Sequence, residues 1–258
     1  MSYALITGVS SGIGFELAKL FAKDKHNLVL VARREEILKQ LSRDLEDQYK
    51  IKTLVIPKDL SQLRSAQEIF NLLKQNEITI DYLINNAGFI VYGNFSDTNW
   101  FEESKMIQLH IATLTHLIKL FLPDMLRRKN GKILNIGSTG SFVPGPFNAV
   151  YCATKNYILS LSEAIAEELD GTGVTVTALC PGGTKTEFAE KAYVKNSSGN
   201  FFQTMEAERV AKIGYNALMK GKKVVIPGML NKLQIFSTRF IPRILLSKLI
   251  KFLMSKYK

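Results

Sequence analysis

The sequence predicts an α/β protein, doubly wound, with a central parallel sheet of about seven strands covered by helices on both faces. Three observations carry this. Short apolar runs alternate with amphipathic segments along most of the 258 residues. The runs are continuously apolar rather than alternating, as strands buried on both faces must be. The segments between them are long enough for the helical crossovers that parallel strands need, and such crossovers are right-handed.

The elements follow in order. YALIT (3–7) reads as a buried strand, and 13–24 as a helix turning Ile13, Leu17, Leu20 and Phe21 inward. LVLVAR (28–33) is a second strand, 35–49 a helix with Ile37, Leu38, Leu41 and Leu45 inward, and KTLVIPKD (52–59) a third strand. A helix at 62–75 leads to DYLINNAG (81–88), a strand running into a glycine turn. Residues 99–129 form a long helical region, interrupted or bent near Pro123. GKILNIGS (131–138), a helix at 150–170, GVTVTALCPG (173–182) and KKVVIPG (222–228) complete the pattern. Residues 1–228 thus read as a single domain, and 229–258 as a basic, amphipathic, helical extension.

Composition narrows the class. With 46% apolar and 22% charged residues the chain can bury a full core. Its two cysteines, Cys152 and Cys180, form no disulfide framework and point to a reducing, cytoplasmic setting. His26, His110 and His116 show no ligand spacing, so no metal is expected. No secretory signal and no uninterrupted apolar stretch of membrane-spanning length is visible. The net charge of +11 is local: residues 209–258 hold twelve Lys or Arg and no Asp or Glu, leaving 34 − 12 = 22 basic against 23 acidic groups before them. Nothing resembling a nucleic-acid recognition motif accompanies that charge, and no nucleic-acid partner is expected.

TGVSSGIG (7–14) sits between a strand and a helix, in the first βα turn. Glycines let a phosphate approach the backbone, and a helix N-terminus offers free N–H groups and positive potential. Gly8, Ser10, Ser11, Gly12, Ile13 and Gly14 are therefore candidate dinucleotide-binding residues. The loop lacks the GK[ST] ending of a P-loop. The second strand ends in VARRE, with no acid for a ribose 2′-hydroxyl. Arg33 and Arg34 suit a 2′-phosphate instead, which favours NADP (NADPH) over NAD.

YCATK places Tyr151 and Lys155 one helical turn apart, and Ser138 ends the fifth strand thirteen residues upstream. Hydride reduction of a carbonyl needs a proton donor at the oxygen. A phenol is a poor one unless a nearby ammonium lowers its pKa. Ser138, Tyr151 and Lys155 are thus candidate catalytic residues; spacing alone fits equally a helix with a surface lysine and a half-buried tyrosine.

TGVSSGIG, NNAG (85–88), Ser138 with YCATK, and PGGTKT (181–186) occur together in the order and at the spacing of one family. The chain resembles a classical short-chain dehydrogenase/reductase over residues 1 to about 228, which implies a Rossmann fold. The resemblance implies Tyr151 as general acid and base, Lys155 as its pKa-lowering partner and ribose ligand, and Ser138 as the group orienting the carbonyl. It further implies Asp59 and Leu60 beside the adenine, and Asn85, Asn86, Ala87 and Gly88 supporting the cofactor and sheet. Pro181, Gly182, Thr184 and Thr186 would flank the nicotinamide or pyrophosphate. One departure is His110, in MIQLHIATLTHL, where the family often has an asparagine that holds a helix irregularity and a proton-relaying water. Two readings stand: His110 takes over that catalytic role, or it is a satisfied core histidine.

Phe89 and Tyr92 in one loop, Phe142 and Phe147 in a second, and Phe188, Phe201 and Phe202 in a third suggest an apolar or bulky carbonyl or alcohol substrate. The resemblance implies a homodimer or homotetramer through the helices at 99–129 and 150–170. RILLSKLIKFLMSKYK (243–258), preceded by a short segment at about 231–240, reads either as a peripheral membrane contact or as a segment that packs on the body, closes the substrate pocket or joins a neighbouring subunit. The leading functional reading is an NADP-dependent ketone or aldehyde reductase, reversible as an alcohol dehydrogenase. A reductase of lipid-acyl or steroid-like carbonyls at a membrane surface and a non-enzymatic NADP-binding redox sensor are the alternatives.

Overall fold

The computed structural model of the chain describes residues 3–187 and 204–255. Its elements are β1 (Tyr3–Thr7), α1 (Gly12–Lys23), β2 (Asn27–Ala32), α2 (Glu35–Tyr49), β3 (Thr53–Pro57), α3 (Ser65–Gln75) and β4 (Ile80–Asn85). Then come α4 (Trp100–Ile107), a π-helical segment (Gln108–Thr113), α5 (Leu114–Arg128), β5 (Gly131–Ile136), a 3₁₀ turn (Thr139–Phe142), α6 (Ala149–Glu168) and β6 (Val174–Leu179). The two-residue strands β7 (Thr184–Lys185) and β8 (Met205–Glu206) precede α7 (Ala207–Met219), β9 (Val224–Val225), α8 (Met229–Thr238) and α9 (Arg243–Ser255).

Seven strands form one sheet in the order β3-β2-β1-β4-β5-β6-β9, every pairing parallel, while β7 and β8 pair separately. Strand side chains divide between two cores with the period of two that a pleated strand imposes. Ala4, Ile6, Leu28 and Leu30 pack with α1, α2 and α7. Leu5, Val29 and Val31 pack with α3, α5 and α6 on the other face. Every residue of β2 is buried, which explains its unbroken apolar run.

Several expectations are corrected. Pro123 does not interrupt the long helical region: it lies inside α5, on an exposed position along with Lys119, so water can serve the carbonyl it leaves without a donor. The irregularity lies instead at Gln108–Thr113, around His110. Ile37 belongs to the surface, because α2 needs only Leu38, Leu41 and Leu45 to cover its stripe of the core. The strands at 52–59, 173–182 and 222–228 are shorter than the apolar runs that announced them, since residues beyond the ladder turn into loops. Helix α7 adds an element to those expected. Its inner face buries Val210, Ala211, Gly214, Tyr215, Ala217 and Leu218, and a Cβ at Gly214 would lie 2.5 Å from Leu179 Cδ2. These positions repeat at helical spacing, so the segment carries a helical period that the expected elements leave out. The run Trp100–Arg128 is long and apolar enough by composition to cross a bilayer, but Leu114, Leu117, Ile118, Phe121 and Met125 spend its apolar side on the core.

Strand order reverses between β1 and β4, and a side-chain hydroxyl fastens this point. Buried Thr7 donates to the Ile84 carbonyl at 3.1 Å and accepts from the N–H groups of Asn86 and Ala87 at 2.9 and 3.0 Å. Asn86 Nδ2 donates in turn to the carbonyls of Thr7 and Gly8 at 2.8 and 3.1 Å. Replacing Thr7 with valine keeps the shape but strips two N–H groups of their acceptor. Thr7→Val is expected to lower the unfolding free energy by about 2–4 kcal/mol and Thr7→Ser to retain most of it, as read by urea denaturation.

Candidate active site

Loops at the carboxyl ends of β1, β4, β5 and β6 build the site. Gly8 (φ +70°) brings the glycine loop against the end of β4: a Cβ there would lie 2.8 Å from both Ala87 Cα and Asn86 Nδ2. Gly14 meets Asn86 and the Gly8 carbonyl just as closely, so the helix begins tight against the loop. Ser11 sits at the N-cap of α1 in extended conformation, yet its side chain caps no N–H, and the first turn carries no acid. The helix N-terminus keeps its unsatisfied donors and positive potential. Thr186, in the segment after β6, leans on Gly12, where a Cβ would come within 2.8 Å of its methyl group. Ile13 packs partly into the core below.

Beside the loop, Arg34 is already engaged: it donates to Ser10 O and Oγ, both at 3.0 Å, and pairs with Glu187 at 2.9 Å. Arg33 is exposed and forms no hydrogen bond or ion pair with another described residue. Its charge reaches Asp59. Burial tends to raise the Asp59 carboxyl, but hydrogen bonds from Ser61 N and Oγ at 2.9 and 2.8 Å, together with Arg33, hold it below the usual range. Leu60 is buried, and its carbonyl accepts from Thr113 at 2.8 Å. Asn85 works within the sheet, donating to Asn135 at 2.9 Å, which donates to Ser162 at 2.9 Å.

Ser138 caps the 3₁₀ turn. Its Oγ accepts from Gly140 N at 3.0 Å, and its N–H donates to Ser141 Oγ at 3.1 Å. Ser141 then donates to the Lys155 carbonyl, and Asn156 Nδ2 to the Ser141 carbonyl, both at 2.8 Å. The turn is thereby fastened to α6. A Cβ on Gly140 would lie 3.4 Å from Ser138 Oγ and 3.8 Å from Tyr151 Cε1, so serine and phenol border one point. Lys155 is buried with its Nζ 5.8 Å from the Tyr151 ring centre, donating to the Ile136 carbonyl at 2.8 Å. Burial pushes its ammonium down to about 8, opposed by the neighbouring Cys180 thiol. Both cysteines are free and buried; burial raises Cys152 to about 11 and Cys180 to about 12.

His110 is fully enclosed. Its Nε2 accepts from Phe89 N–H at 3.3 Å, and Nδ1 lies 2.9 Å from Thr154 Oγ1, which donates to the Tyr151 carbonyl at 2.8 Å. The chain of donors assigns the proton to Nδ1, leaving both ring nitrogens satisfied. Burial, aided by the Lys155 charge, lowers its pKa well below 6.5. The geometry is that of a neutral core histidine rather than a titrating one, and Gly88 makes room for it: a Cβ there would lie 2.8 Å from Nε2.

Of the aromatic candidates, Phe89, Tyr92 and Phe147 gather near the site. The Phe89 ring lies 6.2 Å from His110, the His110 ring 6.1 Å from Tyr151, and Tyr92 6.3 Å from Phe147. Phe147, at φ +66°, accepts from Gly93 N–H at 2.9 Å and ties the two loops together. Phe142 packs inward against Leu159, Ala178 and Cys180, so it serves the core more than a substrate wall. Phe188, Phe201 and Phe202 lie outside the described residues. Pro181 is buried and accepts from Thr139 N–H at 2.8 Å; Gly182 abuts Asn231 of α8; Thr184 donates to the Gly182 carbonyl at 3.1 Å. Sequence reasoning missed Thr7, Ser141, Thr154 and Asn156. Thr154, three residues after Tyr151 on one helix face, was the member of this group with a readable signal.

Comparison with known proteins agrees with this arrangement. A model of the short chain dehydrogenases matches residues 2–197. The NADP-dependent 3-hydroxy acid dehydrogenase of Schizosaccharomyces pombe is 32% identical over 235 residues, 86% of this chain and 88% of that protein. The short-chain dehydrogenase from Sphingobium yanoikuyae, solved in complex with NADPH, is 29% identical with a TM-score of 0.81, over 94% of this chain and 97% of that one. The bulky-bulky ketone specific alcohol dehydrogenase from Comamonas testosteroni is 28% identical with a TM-score of 0.79, over 100% of this chain and 95% of that one.

The two buried bases leave marks of the same sign on stability, in different pH windows. Lys155 titrates near 8 in the folded chain against 10.5 when unburied, so the unfolded state holds more protons between those values and stability rises with pH through that window. Ligand-free Lys155→Met is therefore expected to unfold at higher temperature than the native protein at neutral pH, the gap closing between about pH 8 and 10.5. His110 stays neutral when folded and binds a proton near 6.5 when unfolded, so it costs stability only as pH falls below 6.5. His110→Asn should flatten that acid loss in the same thermal series.

Proposed function

The chain belongs to the short-chain dehydrogenase/reductase family of oxidoreductases, and we propose that it uses NADP(H) to reduce a bulky, apolar ketone or aldehyde, reversibly. The observation that carries the reading is the convergence of Ser138 and Tyr151 beside Gly140, with the Lys155 ammonium beneath the phenol. The glycine loop fits a dinucleotide, because the N-terminus of α1 keeps its donors uncapped and free of acid. Gly8 and Ser10 to Gly14 would hold the pyrophosphate, Asp59 and Leu60 the adenosine, and Thr184 and Thr186 the nicotinamide end. With Arg34 occupied by Ser10 and Glu187, the 2′-phosphate falls to Arg33. NADP(H), when bound, supplies or accepts the hydride.

The chain's own groups do the rest. Ser138 Oγ already accepts from Gly140, so its proton is free to point at the substrate oxygen. Tyr151 gives the proton to that oxygen in reduction and takes it back in oxidation. Lys155, fixed on the Ile136 carbonyl, puts positive charge beside the phenol and stabilises its anionic form. Neutral His110 positions rather than reacts: through Thr154 it holds the Tyr151 turn, and through Phe89 the loop after β4. Phe89, Tyr92 and Phe147 form an apolar wall suited to a bulky substrate. The NADPH complex of the Sphingobium neighbour, the NADP-dependence in the fission-yeast relative's name and the bulky-ketone specificity of the Comamonas neighbour support the reading.

Tyr151→Phe should lower kcat for ketone reduction by about 10²–10⁴-fold with NADPH binding retained, measured by NADPH oxidation and cofactor fluorescence. Unchanged kcat would remove Tyr151 from the chemistry. Arg33→Ala should reduce the preference for NADPH over NADH in kcat/KM by about tenfold or more. An unaltered preference would sink the assignment of Arg33.

A further inference from the structure

Helices α8 and α9 carry a surface that the site does not use. Nine of the fifteen exposed large apolar side chains among the described residues lie between Met229 and Phe252, a crowding that isolated surface residues do not show. Met229 (81% exposed), Leu233 (63%), Phe236 (54%) and, just beyond α8, Phe240 (73%) repeat at four, three and four residues, one stripe of a helix. Leu245, Leu249 and Phe252 repeat the pattern on α9. The rings of Phe236 and Phe240 meet edge to face at 5.2 Å. The opposite sides are occupied: Ile235 and Leu246 are buried, and Asn231 donates to the Pro227 carbonyl at 2.7 Å while resting on Gly182. Both helices are thus anchored by one face and leave the other apolar face outward.

Charge identifies the occupant. Lys232 and Arg239 border the stripe on α8, Lys248 borders that on α9, and Arg243 and Lys251 add to them. No acid occurs anywhere from residue 209 to the end of the chain. A two-fold contact between copies of this face would set these cations against one another with no carboxylate in the segment to pair them. A lipid surface meets both requirements: acyl chains take Leu and Phe side chains, and anionic headgroups take the Lys and Arg ends at the rim.

We propose that the paired outer faces of α8 and α9 dock this protein peripherally on an anionic lipid surface. Asn231 joins α8 to Gly182, so docking brings the carboxyl edge of the sheet, where Ser138 and Tyr151 converge, close to the lipid boundary.

The test is flotation of the full chain with phosphatidylcholine vesicles, with and without phosphatidylserine. Binding is expected to the phosphatidylserine vesicles, weaker to phosphatidylcholine alone, and reduced by high salt. Phe236→Ser/Phe240→Ser should lower partitioning by at least about tenfold on either vesicle. Lys248→Gln/Lys251→Gln should lower it about tenfold on phosphatidylserine vesicles and leave the neutral ones unaffected. Thermal unfolding checks that each variant folds, and if the phenylalanine pair lowers the midpoint, the lysine pair carries the test. No flotation with phosphatidylserine, or flotation that neither variant weakens, overturns the proposal. So does light scattering that shows the phenylalanine variant dissociating a stable oligomer without any vesicle binding, since the face is then a subunit contact.

Discussion

Where a parallel sheet reverses its strand order, two neighbouring strands send their chains to opposite faces, and the backbone groups at their ends lose ladder partners. Buried N–H and C=O groups must find others. Here a single hydroxyl, that of Thr7, takes two N–H groups from the NNAG turn and gives its own proton to β4, while Asn86 answers with two bonds to the end of β1. This fixes the gap between β1 and β4 in the protein chain itself. The glycine loop can then lie directly on Asn86 and Ala87, which is why Gly8 and Gly14 tolerate no side chain. The glycine loop is thereby referenced to that contact.

The chemistry-bearing groups hang from the next strand over by the same means. Ser141 links the Ser138 turn to the Lys155 carbonyl, Asn156 closes the loop back to Ser141, and Lys155 reaches under the sheet edge to Ile136. On the far side, Phe89, His110, Thr154 and the Tyr151 carbonyl form one continuous line of hydrogen bonds. Each group that must be held to a fraction of an ångström for proton transfer is held by a partner that is itself held. The cost falls on Lys155, an ammonium taken out of water and given one carbonyl among the described residues. In the proposed reaction negative charge develops beside it, on the phenol oxygen of Tyr151, where a charge strained in this way is most useful.

The sequence made much of this legible, for reasons that differ by residue. The strands could be read because β2 and its neighbours are buried on both faces and so are apolar throughout. The glycine loop could be read because a phosphate site demands glycines between a strand and a helix, whereas Ser138, Tyr151 and Lys155 became legible only through the family resemblance, their spacing fitting an ordinary helix as well. Helix α7 was legible yet absent from the expected elements: Val210, Ala211, Gly214, Tyr215 and Leu218 recur at helical spacing and are buried, with Gly214 close against Leu179. The π-helical segment was signalled only by the resemblance at His110, while composition pointed to Pro123, because proline announces a break and a wide turn has no composition of its own. Arg34 looked equal to Arg33 in sequence; only the fold, by bringing Ser10 and Glu187 to it, tells them apart. His110 had two readings, and the fold adds what the sequence could not show: both of its ring nitrogens are filled.

The account stands or falls on direct hydride delivery to a carbonyl at the point shared by Ser138 and Tyr151. The most direct measurement is reduction of a bulky aryl ketone with NADPH carrying deuterium at both nicotinamide C4 positions, followed by mass and NMR analysis of the product. One deuterium on the carbinol carbon, with a protium from solvent on its oxygen, is the result expected. Cofactor that binds and keeps its label in the presence of every ketone, or label lost to water, would contradict it.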